Sequence, residues 1–578
     1  MKNKHVARIL QNIGDILEIR GENPFRVRAY RRAAHSIEAL GVDLAELRRA
    51  DRLTDIPGVG RDLAGKITEI LDTGTCAYYD RLIREIPAEI VQLLTVPGIG
   101  PRTARILYEE LQISGLDELE RLGRAGRLAE LRGLGEKTQN KILSGLELVR
   151  RGRERLPLGR VYPFASALVE TIRAGGAPVE RISVAGSIRR FQDTVKDVDI
   201  VAASGKPQAV IRFFTRLGFW TEILEEGSTR AAARTEEGLR VDLRVVDPAV
   251  YGAALCYLTG SKAHNIRMRQ LAAQKGLKLN EYGVFRDDRC IAGAEEDDVF
   301  AALELPFIPP ELREDHGEIE AALEGTLPRL VEKKDLRGDL HVHSVYSDGT
   351  GTLEEIAAEA QRLGLEWVGV CDHSRSLKIA RGLSIRDLRQ KISAVRAFNE
   401  QSTTVKLLAG AEVEIDAHGR LDYPDEVLAE LDLVLVGVHT GFGQNRETMT
   451  ARIVAAVEHP RVHVLAHPTG RLLGERAPYQ VDLNRVIGAA ARAGTALEIN
   501  AYPKRLDLDD MHSRQAARQG VKMALGSDAH LVEQIGFLEL GVGVARRAWL
   551  GPVDVLNTLG WAELGTALGR GKFRLLNG

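Results

Sequence analysis

Two groups of residues in this chain have the types and spacing to do chemistry on phosphate. The first is Gly186-Ser187-Ile188-Arg189-Arg190, followed by Asp197-Val198-Asp199 and then by Asp242 within Arg240-Val241-Asp242-Leu243-Arg244. Residues two apart on a strand share a face, so Asp197 and Asp199 pair their carboxylates while Val198 and Ile200 turn to the core. Hard divalent cations such as Mg²⁺ take a few carboxylates plus substrate phosphates, and the Gly-Ser turn with its arginines offers a grip on those phosphates. An Asp-x-Asp alone more often marks the acidic tip of a surface hairpin, so its neighbours must decide.

The second group lies in the rear half. Asp339-Leu340-His341-Val342-His343-Ser344 puts two histidines on one strand face, with Asp348 on the loop that follows. His373, Glu412, His439, His467, Asp528 and His530 each fall at or just beyond an apolar strand-like run. Imidazoles and carboxylates gathered at strand ends suit Zn²⁺ or Mn²⁺. His418, His459, His463 and His512 lie off these ends and read as structural or solvated.

The elements that must position these residues follow from periodicity. Strands are expected at Ile182–Ala185, Val198–Ala202 and Leu239–Val246 in the centre. In the rear they are expected at 367–371, 407–413, 433–438, 462–465, 496–499 and 522–525, with helical stretches between them. That alternation argues for a parallel α/β barrel, whose chemistry sits at the C-terminal strand ends. Residues 1 to about 150 show only helical periodicity.

The front also carries an internal repeat: Ile56-Pro57-Gly58-Val59-Gly60, Val96-Pro97-Gly98-Ile99-Gly100 and a looser Leu131-Arg132-Gly133-Leu134-Gly135. Each resembles a helix-hairpin-helix, in which the glycines (here Gly58, Gly60, Gly98 and Gly100) let backbone N–H groups approach a DNA phosphate without reading sequence.

A chain of 578 residues needs several domains. Its net charge of −2 argues against generic nucleic-acid binding, but residues 1–160 hold 28 Lys+Arg against 23 Asp+Glu, so the front is basic and the rear acidic. There is no run of apolar residues long enough to span a bilayer. Cys76, Cys256, Cys290 and Cys371 have no paired spacing, which suits a reducing cytoplasm.

With these residues in view, resemblances to known families emerge. Asn23 to Arg32 with the first hairpin resembles the N-terminal lyase domain of DNA polymerase beta; the resemblance implies Lys66 as the Schiff-base lysine, with Arg26 and Tyr30 near a 5′-phosphate. The centre resembles the palm of a family X DNA polymerase. By that resemblance Asp197, Asp199 and Asp242 hold two catalytic Mg²⁺ or Mn²⁺ ions and Ser187 with Arg190 binds the β- and γ-phosphates. Within Tyr257 to Asn265, Tyr257 and Gly260 would meet the sugar and Asn265 the base, while Arg269 would reach the template. Leu258 stands where an aromatic residue is usual, which bears on ribose exclusion, and Asn280-Glu281-Tyr282-Gly283 reads as a closure hinge or a simple β-turn. The rear resembles the PHP (polymerase and histidinol phosphatase) domain. That implies up to three Zn²⁺ or Mn²⁺ ions: one on His341, His343, Glu412 and Asp528, one on Glu412, His439 and His467, and one on Asp348, His373 and His530.

The expected organisation is therefore multidomain α and α/β. It comprises a helical lyase-like domain (1–85), a helical DNA-binding region (86–155), a nucleotidyltransferase palm (156–248) and a nucleotide-selecting subdomain (249–312). A linker (313–335) leads to a distorted (β/α)7-type PHP barrel (336–578). The expected function is short-gap filling in DNA repair by a cytoplasmic monomer acting on gapped or nicked DNA and dNTPs, with 3′–5′ exonuclease or phosphoesterase activity and abasic-site or 5′-deoxyribose phosphate lyase activity. Two other readings stay open: a PHP phosphoesterase whose polymerase-like half only binds DNA, and a non-enzymatic repair scaffold.

Overall fold

A computed structural model describes residues 2–569 except 39–43, 57, 87, 97, 132 and 133. Pro57, Pro97, Arg132 and Gly133 of the hairpin repeats lie outside the described residues. The chain divides into two compact units, Met1–Arg153 with Gly474–Arg476, and Glu154–Leu473 with Ala477–Gly578.

The first unit is helical throughout its described residues. Its opening helix, Lys2–Ile19, carries Val6, Ile9, Leu10, Ile13, Ile16 and Leu17 at helical spacing, and all are buried. The two described hairpins repeat one geometry. Val59 N–H donates to Ile56 O and Ile99 N–H to Val96 O, both at 2.9 Å, and Gly58 and Gly98 take φ of 86° and 100°, where a side chain would be strained. Gly60 and Gly100 then cap Arg61–Thr73 and Pro101–Leu111, and a Cβ at either would meet nothing, so both helix starts are open to an approaching group.

The second unit begins with a five-stranded mixed sheet in the order Arg181–Val184, Asp197–Ala203, Arg240–Val246, Arg230–Thr235, Trp220–Glu226. The central strands agree with the expected positions to within a residue or two. Val198, Ile200 and Ala202 turn toward the helices Leu158–Ala174 and Pro207–Thr215 in one core. The opposite face carries Asp197 and Asp199 at one end and Val201 and Ala203 at the other, where Tyr251, Ala254 and Leu255 of the helix Tyr251–Thr259 cover them. Asn280 to Gly283 is the tight turn of a hairpin between Lys278–Asn280 and Gly283–Arg286, so the β-turn reading describes it.

The rear is a sheet of seven parallel strands in sequence order, from Gly338–Val342 to Met523–Gly526. A bridge between Val342 and Ala529 ties the last strand's end to the first, leaving the barrel nearly closed. Strands such as Leu433–Gly437 are buried on both faces, which is why they read as continuous apolar runs rather than alternating ones.

Candidate active sites

In the central sheet the parallel register sets Asp199 beside Asp242 and Asp197 beside Arg240. Burial, then Asp197 and Asp242, push the Asp199 carboxyl up to about 7. Gly186, at φ 60°, leans over this cluster: a Cβ there would fall 2.2 Å from Asp199 Oδ2, so only glycine lets the turn and the carboxylate coexist. Arg240 donates to both oxygens of Asp242 at 2.7 Å, and each oxygen keeps a second lone pair.

The two arginines of the Gly-Ser motif differ in role. Arg189 is spent on structure, donating to Thr259 Oγ1 at 2.8 Å and forming a bidentate pair with Glu296. Arg190 donates through Nε to Glu314 Oε1 at 2.8 Å and through Nη1 to Thr259 O, and still lines the site. The site is a cavity of about 540 Å³ that gathers Ser187, Arg190, Asp197, Asp199, Tyr257, Leu258, Gly260, Asn265 and Arg269. Asn265 donates to Tyr257 O at 2.7 Å and Arg269 to Asn265 O at 3.3 Å, so the three are held as a set. Arg155, Lys196 and Lys262 also line it. No local signal marks these three as site residues, although Lys196 directly precedes the Asp pair.

In the first unit Lys66, Arg26 and Tyr30 converge on Tyr78, which sequence reading did not single out. Tyr30 stacks on it, Arg26 donates to its hydroxyl at 3.0 Å, and the Lys66 ammonium lies 5.4 Å from its ring centre. Lys66 pairs with Asp62 at 2.6 Å.

At the barrel's C-terminal end the expected histidines and carboxylates form one cluster around Glu412, buried except at Asp348, His439 and His530, which are partly exposed. Its Oε1 lies 2.7 Å from His467 Nε2 and 3.0 Å from His439 Nε2, and its Oε2 is 2.9 Å from His373. His343 Nε2 is 3.2 Å from Asp528, and Asp348 reaches His530 at 3.4 Å. Ligand atoms come together in three groups: His343, Asp348, His373 and His530; His341, His343 and Asp528; and His373, Glu412 and His439. This differs from the expected partition in that His343 and His373 each join two groups, while His467 reaches the cluster through Glu412.

The donor set fits divalent cations. His343 Nδ1 is buried without a hydrogen-bond partner. Burial and the neighbouring His530 and His373 hold His343 down to about 3, and burial with Arg505 holds His467 down to about 4, so both present the neutral imidazole that ligates metal. Burial opposes ionisation of Asp528, yet His341, His343 and Arg505 keep it well below the usual range.

Several supporting residues escaped sequence reading. Glu498 binds His341 Nδ1 and Glu414 binds His439 Nδ1, each at 2.7 Å, which turns Nε2 of each ring toward the cluster. Glu498 is the central residue of Ala496–Asn500, inside the strand rather than at its end, so the strand-end signal that marked the others does not reach it. Asp372 accepts from the backbone N–H and hydroxyl of both Ser344 and Ser347, fixing the loop that leads to Asp348. Arg471 pairs with Asp193 at 3.2 Å and donates to Arg505 O and Leu506 O.

Residues 1–76 match a helix-hairpin-helix domain, 90–147 a SAM-like helix-hairpin-helix tandem, 254–314 the DNA polymerase beta thumb and 339–500 the PHP domain. The DNA polymerase/3′-5′ exonuclease PolX of Bacillus subtilis is 34% identical over 96% of this chain and 97% of its own length. The chain belongs to the family X DNA polymerases with a C-terminal PHP domain. Its halves also find separate relatives. The DNA polymerase lambda of Rattus norvegicus is 27% identical over 54% of this family X chain and 56% of its own. A probable phosphatase of Syntrophotalea carbinolica is 30% identical over 38% of this chain and 90% of its own. No helix among the described residues is long and apolar enough to cross a membrane.

Proposed function

We propose that the chain extends a primer 3′ end across short DNA gaps at the Asp197, Asp199 and Asp242 cluster and hydrolyses 3′ ends at the PHP cluster. The observation that carries the first half is the set of three carboxylates on adjacent strands, Asp199 beside Asp242 with Asp197 two residues away, of which Asp197 and Asp199 line a cavity that also gathers cationic groups. Divalent ions at such a site supply charge neutralisation for the triphosphate and acidify the primer hydroxyl. Asp197, Asp199 and Asp242 would hold these ions. Ser187 and Arg190 bind the β- and γ-phosphates. Tyr257 and Gly260 flank the sugar, Asn265 approaches the base, and Arg269 reaches toward the template. The hairpin glycines Gly58, Gly60, Gly98 and Gly100 hold the DNA backbone.

In the barrel His341, His343, Asp348, His373, Glu412, His439, His467, Asp528 and His530 would hold Zn²⁺ or Mn²⁺, with Glu414 and Glu498 fixing the rings of His439 and His341. Lys66, with Arg26 and Tyr30, gives 5′-deoxyribose phosphate lyase activity once its pair with Asp62 opens.

A gapped, 3′-labelled duplex incubated with and without dNTPs tests the two main activities together. Asp199→Ala is expected to lose extension and keep degradation, and His343→Ala the reverse. Extension by Asp199→Ala would overturn the palm assignment, and undiminished degradation by His343→Ala would overturn the PHP assignment.

A further inference from the structure

The segment that follows the phosphate-binding turn of the palm is clasped from the PHP side. Arg547, on the helix Leu538–Arg547, donates through Nη1 to the backbone carbonyl of Arg190 at 2.8 Å and to Glu314 Oε1 at 2.9 Å. That same Glu314 oxygen receives Nε of Arg190 and the side-chain amide of Gln192. The other nitrogen of Arg547 is anchored by Asp510 at 2.7 Å. Arg190 and Glu314 keep 13% of their side chains exposed and Arg547 only 7%. The preceding residue, Arg546, holds Glu311 in the same way, with Nε 2.7 Å from Oε1.

Packing reinforces the clasp. Phe191 sits at φ 53°, a left-handed conformation that a bulky residue adopts only when its surroundings demand it. Its ring lies over Gly543 of the same PHP helix, where a Cβ would fall 1.9 Å from it, and 5.0 Å from the ring of Tyr162, whose hydroxyl donates to Glu539. Asp193, two residues on, is paired with Arg471.

Charge-assisted hydrogen bonds are directional, so a guanidinium fixed at Nε has little freedom left in its plane. Glu314 fixes Arg190 at Nε, and Arg547 fixes Glu314. We infer that Arg547 of the PHP domain is a positioning residue for nucleotide binding at the palm, aiming Arg190 at the incoming triphosphate through Glu314. This rests on the palm reading above, in which Arg190 contacts the phosphates.

The test is steady-state single-nucleotide gap filling by the full chain, with hydrolysis of a 3′-labelled single strand measured alongside. Arg547→Gln is expected to raise the KM for dNTP about tenfold, the equivalent of about 1.4 kcal/mol. Its kcat should change less than twofold and its hydrolysis should stay at the wild-type rate. Arg547→Lys, which keeps the charge, should recover part of the KM. An unchanged KM with intact hydrolysis would overturn the inference. If Arg547→Gln also loses hydrolysis through misfolding, Glu314→Gln decides: a raised KM supports the aiming role and an unchanged KM overturns it. Asp199→Asn separates the two levels, because incorporation by that variant would overturn the palm reading itself.

Discussion

Replacing Lys391 by Met is expected to unseat the PHP cluster without touching any ligand. Lys391 is fully buried on the helix Ile385–Gln401, and its ammonium donates to Val370 O and Gly410 O at 2.9 Å and to Asp372 at 2.8 Å. Asp372 is also fully buried. Burial pushes its carboxyl up, but Lys391 and the bond from Ser347 win and bring it down to about 2. Met fills nearly the same volume but donates nothing, so two carbonyls lose their donor and a carboxylate its counter-charge. Removing one partner of such a pair costs about 3–5 kcal/mol. For a domain of this size that lowers the melting temperature by about 10 °C. Scanning calorimetry reads the shift. The double variant Lys391→Met with Asp372→Asn should recover part of it, since the stranded charge is gone. Because Asp372 is depressed below its ordinary value, its stabilisation is present above about pH 4. It is lost as pH falls toward 2, so the gap between wild type and Lys391→Met should narrow in acid. A loss under about 1 kcal/mol at neutral pH would refute the claim that Asp372 is ionised and depends on Lys391.

Other outcomes follow from the same geometry. Asp199, raised to about 7, holds a proton below that pH which a divalent ion must displace. The apparent Mg²⁺ activation constant for incorporation should therefore weaken about tenfold from pH 8 to pH 6, and a flat profile would count against the carboxylate crowding. Gly186→Ala drives a methyl into Asp199 and should abolish incorporation while hydrolysis by the PHP domain persists, as a gapped-duplex assay would show. Glu498→Gln weakens the hold on His341 Nδ1 and should lower metal affinity of the PHP cluster about tenfold or more, read by metal content after dialysis. Asp62→Ala frees Lys66 and should speed borohydride trapping of an abasic 5′ end; a slower reaction would argue that Asp62 aids the lysine.

Much of this was legible because the relevant signals are local. Asp197 and Asp199 are two residues apart on one strand, and the barrel histidines follow apolar runs whose length sets the strand ends. What escaped depends on contacts between distant segments. Nothing near Arg189 and Arg190 in sequence says that the first is taken by Glu296 and the second by Glu314, more than a hundred residues away. Lys391 reads as a polar position on an amphipathic helix, and only the fold carries it to Asp372. Arg471 resembles a surface cation until the barrel brings it to Asp193. Tyr78 lies 48 residues beyond Tyr30, and its stacking emerges only when their helices meet.

The seating of Phe191 on Gly543 has a kinetic meaning. The ring fills the space that a side chain at Gly543 would take, so palm and barrel pack directly on each other there, a contact that favours a fixed distance between the synthetic and hydrolytic centres. The travelling component is the DNA. Whether a freshly added nucleotide survives is then a race between the next addition and departure of the 3′ end from the palm. Slowing addition, by scarce dNTPs or a mispaired end, is enough to shift the outcome toward removal without any signal passing through the protein.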